Sequence, residues 1–219
     1  FATSTAHVMG KLLASSETAT WLNEHFQSSL GDVKQVVDKY FVGGVNHVFW
    51  HGTNYSPQDE PWPGWLFYAA VHFTPANPFW KDFGTLNNYV ARCQSFLQKG
   101  KPDNDVLLFF PFNDKISEMG RDLLMHFDGM AGFERSIFKS GAEWLLQKGY
   151  AFDLVSDKQV LGIKSENGSL QTSGGSIYKT ILLPDVKYIP VETLRKLKRL
   201  AEVGAHIIFY KHLPADVPG

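Results

Sequence analysis

Apolar and polar positions alternate along this chain in two registers, one helical and one extended. Val33, Val36, Val37, Tyr40 and Phe41 recur at the spacing of one buried helix stripe. Ser29-Leu30-Gly31-Asp32 ahead of them has the form of a capping box, and Gly43-Gly44 closes the helix. A second stripe, Leu86, Tyr89, Val90, Cys93 and Leu97, predicts a helix from about Phe83 that ends before Gly100. Asn46 to Trp50 is short, β-branched and aromatic, the form of a buried strand. Lys11 to Ala14 reads as a short strand running into Ser15-Ser16-Glu17-Thr18, after a helix end at Ala6 to Gly10. Strand, helix, strand in that order predicts a right-handed parallel crossover.

Beyond the turn-rich Lys101-Pro102-Asp103-Asn104 the pattern changes. Asp105 to Phe110 is a continuous apolar run, as expected of a strand covered on both faces. Pro111 to Gly132 reads as irregular or weakly helical, with a turn at His126-Phe127-Asp128-Gly129, and a helix over Phe133 to Lys148 and a strand over Phe152 to Val155 follow. Gly168 and Gly174-Gly175 mark a hairpin excursion; then come strand Thr180 to Leu183, helix Val191 to Val203 and strand His206 to Tyr210. Alternating strands and helices predict a doubly wound α/β sheet.

Charge sharpens the division. Nine of the 43 Asp, Glu, Lys and Arg residues lie in the first 80 positions, with five of the six Trp. A charge-poor, Trp-rich region suits a cleft for a neutral ligand. The formal net charge of −1 gives no electrostatic case for nucleic acid or an anionic membrane, and no run reaches transmembrane length. The lone Cys93 excludes an internal disulfide and falls on the apolar stripe of its helix. P-loop, GxGxxG, HExxH, GxSxG and CxxC patterns are absent.

The candidate chemistry lies between Gly43 and Trp65. His51-Gly52-Thr53-Asn54-Tyr55 offers groups that bond hydroxyls, and Trp62 and Trp65 offer flat apolar faces. Sugars present C–H faces ringed by hydroxyls, so this combination suits a carbohydrate. The competing reading is a Pro-rich loop folded on its own aromatics. Asp59 and Glu60, before Pro61, read as solvated carboxylates.

The segments AHVMGKLLASSE, GGVNHVFWHGTNYS and ARCQSFLQKGKPDNDVLLFF carry H-x-x-G-K, G-x-N-x-x-x-x-H and Y-x-A-R-C-Q-x-x-L-Q-x-G. Through them the chain resembles the family 106 glycoside hydrolases, the α-L-rhamnosidase-like group. The resemblance implies the C-terminal part of a (β/α)8 barrel over residues 1–100, with Lys11 to Ser16 as strand seven, Asn46 to Trp50 as strand eight and Phe83 to Lys99 as the last barrel helix. A flavodoxin-like or amidotransferase-like α/β domain would follow over 105–219. That domain would be non-catalytic and serve packing or a homo-oligomer, because Pro184-Asp185 stands where an amidotransferase needs cysteine. The chain is then a fragment of a larger enzyme. Glu17 would be the water-activating base of an inverting mechanism, with the acid on an earlier strand. His51, Asn54, Tyr55, Trp62, Trp65 and His72 would hold the sugar; His72 lies in HFTPANPFW, which departs from the more charged version of that segment in the family. Calcium would bind in the complete protein, whose location would be periplasmic or extracellular. A β-galactosidase-like hydrolase and a non-catalytic carbohydrate-binding protein are the alternatives.

Overall fold

The computed structural model describes residues 1–69, 71–118 and 136–218. It divides into two units: Leu12–Lys101, and Phe1–Lys11 together with Pro102–Gly219.

In the first unit, β1 (Ser15–Thr18) and β2 (His47–Trp50) form a parallel pair in which Glu17 stands opposite Phe49. The helix α2 (Leu30–Val42) connects them and α3 (Trp80–Leu97) follows. Ser29 caps α2 as its sequence predicts: its hydroxyl accepts from the Asp32 N–H, and its own N–H donates to the Asp32 carboxylate. Val33 and Val37 of α2, and Phe83, Leu86 and Val90 of α3, form a core with Phe73, against which Val48 and Trp50 pack. Lys34 and the Tyr89 hydroxyl both reach Asp38, tying the two helices together at the surface. Both helices thus cover the face of the pair that carries Val48 and Trp50. The other face carries Glu17 and Phe49, and Phe49 is 55% exposed.

Two boundaries differ from the sequence reading. Lys11 to Ala14 is not a strand. The Asn46 side chain accepts from the Ala14 N–H and donates to the Leu12 carbonyl, taking the place of ladder bonds until pairing starts at Ser15. The helix expected from Phe83 begins at Trp80, because Asn77 turns the chain there: its side chain donates to the His72 carbonyl and accepts from the Phe79 N–H.

In the second unit, β3 (Val106–Phe109), β4 (Phe152–Val155), β8 (Thr180–Pro184) and β9 (His206–Tyr210) form a parallel sheet in the order β4-β3-β8-β9. Alternate residues face opposite cores, as a strand's two-residue period requires. Leu107, Phe109, Ile181 and Leu183 pack with Leu197 and Leu200 of α7 (Val191–Glu202). Val106 and Leu108 pack with Phe138 and Leu145 of α5 (Ile137–Gln147). The short helix α4 (Phe112–Glu118) falls in the stretch read as irregular or weakly helical, whereas α6 (Asp157–Leu161) was not anticipated; Ser156 and Gln159 make a capping box for α6. The expected hairpin excursion is an antiparallel sheet of β5 (Lys164–Glu166), β6 (Ser169–Gln171) and β7 (Ile177–Tyr178). The expected turn at 126–129, and the first residues of the helix expected from Phe133, lie outside the described residues.

The opening helix α1 (Ala2–Val8) belongs to this second unit, not with the residues that follow it in sequence. Val8 is buried in the core beneath β3 and β8. His7 Nδ1 lies 3.0 Å from the Asp153 carboxylate, which also accepts from the Tyr178 hydroxyl at 2.8 Å and from Asn104 at 2.8 Å. Gly10, at φ +67°, passes so close to the backbone of Gly174 that a Cβ on either would overlap the other.

Candidate active site

The site begins at Glu17, near the C-terminal end of β1. Its side chain is 63% exposed and Oε1 lies 3.4 Å from Nε2 of His51, the residue that follows β2. The parallel register brings them together: the His51 N–H donates to the Thr18 carbonyl, so His51 continues the pairing one step past Trp50. His51 Nδ1 is 2.9 Å from the Thr20 hydroxyl, and the Phe67 ring meets the imidazole edge-on at 5.2 Å. With Nδ1 accepting from the Thr20 hydroxyl, the proton of a neutral His51 is on Nε2, the nitrogen that lies 3.4 Å from the Glu17 carboxylate.

A second group surrounds a cavity of about 670 Å³ lined by Asn54, Tyr55, Glu60, Trp62 and Gly64, among others. Trp62 donates from Nε1 to the Ala76 carbonyl at 3.1 Å, and the Ser56 hydroxyl accepts from the Trp65 N–H at 3.1 Å. Gly64, at φ +79°, lies where a Cβ would overlap that hydroxyl, so the turn between the two Trp requires glycine. Tyr55, Trp62 and Trp65 are 79%, 68% and 53% exposed, so all three rings can offer a face to a ligand. Asp59 and Glu60 are exposed.

His72 differs from the other residues singled out in the sequence: it is only 2% exposed. Its Nδ1 is 3.0 Å from Asn54 Oδ1 and its Nε2 is 2.8 Å from His25 Nδ1. Burial, reinforced by the neighbouring His25, pushes its pKa below the usual histidine value. His72 therefore acts on the cavity through Asn54, whose side chain it holds.

Sequence reasoning missed the loop between β1 and α2. Thr20 bonds His51, the Trp21 ring meets Tyr68 at 5.2 Å, His25 bonds His72, and the Phe26 ring meets Trp62 at 5.4 Å. Ala19, Trp21 and Phe26 all have positive φ, a cost of about 1 kcal/mol or more each for residues other than glycine. The available signal was positional: a loop directly after a strand carrying a candidate catalytic carboxylate lies at the end where parallel α/β folds build their sites.

Among the described residues, no group of three or more His, Cys, Asp or Glu could hold a metal ion. Calcium takes six to eight oxygens, so these residues do not make a calcium site by themselves. Also among them, no helix is long and apolar enough to cross a membrane. A second cavity of about 620 Å³, in the other unit, has neither a carboxylate nor a histidine in its lining.

An exposed carboxylate beside a histidine, in a unit that also lines a cavity with exposed aromatic rings, has the chemistry that a carbohydrate-active protein uses. Residues 1–218 match the glycoside hydrolase family 106 model, described as alpha-L-rhamnosidase, and the chain belongs to that family. A protein of Formosa agariphila named "Putative beta-glucuronidase" is 27% identical over 209 residues, which is 95% of this chain and 16% of that protein. The solved structure of a rhamnosidase from Novosphingobium sp. PP1Y superposes with a TM-score of 0.75 at 23% identity, over 99% of this chain and 19% of that one. The chain thus spans under a fifth of either relative's length.

Proposed function

We propose that this chain supplies one side of the active site of a glycoside hydrolase that removes terminal α-L-rhamnosyl or related residues from plant or microbial glycans, outside the cytoplasm. The observation that carries the reading is Glu17: an exposed carboxylate near a strand's C-terminal end, 3.4 Å from His51, in a chain of this family. In an inverting reaction Glu17 takes a proton from water as the water oxygen attacks the anomeric carbon. A second carboxyl group, about 6.5–9.5 Å away, protonates the departing oxygen. That group is assigned to an earlier strand of the complete protein. Tyr55, Trp62 and Trp65 stack on the sugar and Asn54 bonds its hydroxyls.

The same proposal includes the architecture. A parallel pair with helices on one face and Glu17 on the other is what the last two strand-helix units of a (β/α)8 barrel would provide, with catalytic groups at the strand ends. The order β4-β3-β8-β9, with helices on both faces, supports a flavodoxin-like second domain. Asp185 occupies the bend after β8 at φ +51°; with no cysteine there, that domain is assigned a packing role.

The test is Glu17→Gln in the complete protein, assayed on an aryl α-L-rhamnoside. Turnover should fall by about 10²- to 10⁴-fold while sugar binding persists; turnover near that of the unsubstituted protein would remove Glu17 from the mechanism. Galactoside and glucuronide substrates run in parallel distinguish the β-galactosidase-like alternative and the activity named for the Formosa relative. No turnover on any glycoside would favour the non-catalytic binding reading.

A further inference from the structure

The hydrogen-bond chain behind Asn54 has a direction. His72 has both ring nitrogens engaged, Nδ1 with Asn54 Oδ1 at 3.0 Å and Nε2 with His25 Nδ1 at 2.8 Å. Burial and the adjacent His25 lower its pKa, so the ring is neutral and carries one proton. Neutral imidazole is a donor at one nitrogen and an acceptor at the other. Asn54 turns its carbonyl oxygen, which can only accept, toward His72. The proton therefore sits on His72 Nδ1, and Nε2 accepts from a proton on His25 Nδ1. This arrangement leaves the Asn54 NH2 group turned away from His72, on a residue that lines the 670 Å³ cavity.

The surroundings hold each member of the chain. The His25 ring lies edge to edge with His72, their planes 29° apart, and the Phe26 ring lies at 28° to the imidazole with centroids 5.1 Å apart. Asn77 donates to the His72 carbonyl at 2.9 Å. Phe26 takes a positive φ of 58°, a strained conformation that places adjacent rings against one imidazole. Both nitrogens of a buried imidazole need partners; here one of those partners is the side-chain amide of a residue that lines the cavity.

We propose that His72 and His25 are positioning residues that hold the Asn54 side chain so that its NH2 group donates to an oxygen of the sugar bound in the cavity. This inference rests on the reading of the site as carbohydrate-binding. It deepens that reading by assigning a hydrogen-bond donor, held from behind, to one wall of the cavity.

The direct readout is the tautomer of His72 in the complete protein, measured by ¹⁵N NMR of labelled histidine. The expected state has Nδ1 protonated and Nε2 bare; a proton on Nε2 would reverse the chain and overturn the proposal. The functional readout uses L-rhamnose as the probe. His25→Phe retains an aromatic ring but loses the donor, and should weaken rhamnose binding by about threefold to tenfold, the worth of one neutral hydrogen bond, with kcat within about twofold. His25→Asn returns an amide donor near the Nδ1 position and should recover most of the loss. Unchanged binding in His25→Phe, or no recovery in an equally stable His25→Asn, would reduce the pair to packing. The tautomer does not depend on Glu17, so an active Glu17→Gln protein would defeat the catalytic assignment while leaving this one standing, and an Nε2 proton on His72 would do the reverse.

Discussion

The two parallel sheets differ in how many faces they bury. In the second unit Leu107, Leu108 and Ile181 are wholly buried between two helical layers, and the central strand β3 is apolar on both sides. In the first unit the helices cover one side of β1 and β2, and the other keeps Glu17 and Phe49 exposed. A strand buried on both faces has no position to spare for a solvated carboxylate, because burying an unpaired charge costs many kcal/mol. A strand with an open face can carry one near its end, which is where the candidate chemistry lies.

The units also satisfy their buried titratable groups by opposite means. In the second, burial works to raise the Asp153 pKa, but donors from His7, Tyr178 and Asn104 more than offset it and keep the carboxyl below its usual value. In the first, His72 is kept neutral between Asn54 and His25. One unit stabilises a buried charge and the other excludes one.

Each contrast can be broken by substitution. Leu107→Ala, at the centre of the doubly covered sheet, should cost about 3 kcal/mol or more in urea unfolding of this chain. A cost below about 1 kcal/mol would mean that the site collapses or that the sheet is not packed on both faces. Asp153→Ala strips three donors of their shared acceptor and should cost roughly 3 kcal/mol; it should also expose α1 to proteolysis, and an unchanged cleavage pattern would show that the His7 contact does not hold that helix. Ser29→Ala removes the α2 cap for about 1 kcal/mol, measurable by the same unfolding curves. Phe49→Ala on the open face should cost under about 0.5 kcal/mol in the 219-residue chain. A larger cost in the complete protein would support the barrel, whose interior would enclose that face. The same large cost in the short chain would contradict an open face.

The pH dependence follows from the same groups. The folded-state pKa of His72 lies below its unfolded value of about 6.5, so the unfolded chain binds more protons in that interval. His72 therefore contributes stability above about pH 6.5 that is lost as pH falls toward its folded value. Asp153, with a folded pKa below about 3.9, contributes stability that persists until stronger acid. On acidification the first unit should loosen before the second, as followed by Trp fluorescence, since five of the six Trp lie in residues 1–80. Simultaneous loss would show that His72 protonation is not what limits the first unit.

Much of this was written locally. The Ser29 and Asp32 cap and the α2 stripe were legible because both are set within a few residues. So was the apolar run of β3, since burial on both faces leaves no other pattern. The end of α1 was legible at Gly10, but the unit that the helix joins was not, because its partners are distant: Asp153 is 146 positions from His7, and Gly174 meets Gly10 across a similar separation. Within the site, Glu17 and His51 could be named from residue type and strand position, but that a parallel register would place them 3.4 Å apart could not.

The sequence by itself determined most of the longer helices and strands, among them α2, α7, β3 and β9, and which aromatic and polar side chains are available to a sugar. Those properties depend on short-range spacing and on composition. Only the tertiary structure decided that His72 faces inward, that Asn54 has its carbonyl taken, and that the loop from Ala19 to Ser28 supplies Thr20, Trp21, His25 and Phe26 to the same region. Three residues of that loop lie in the left-handed region without being glycine, a conformation that local preference disfavours and that packing against the second loop must impose.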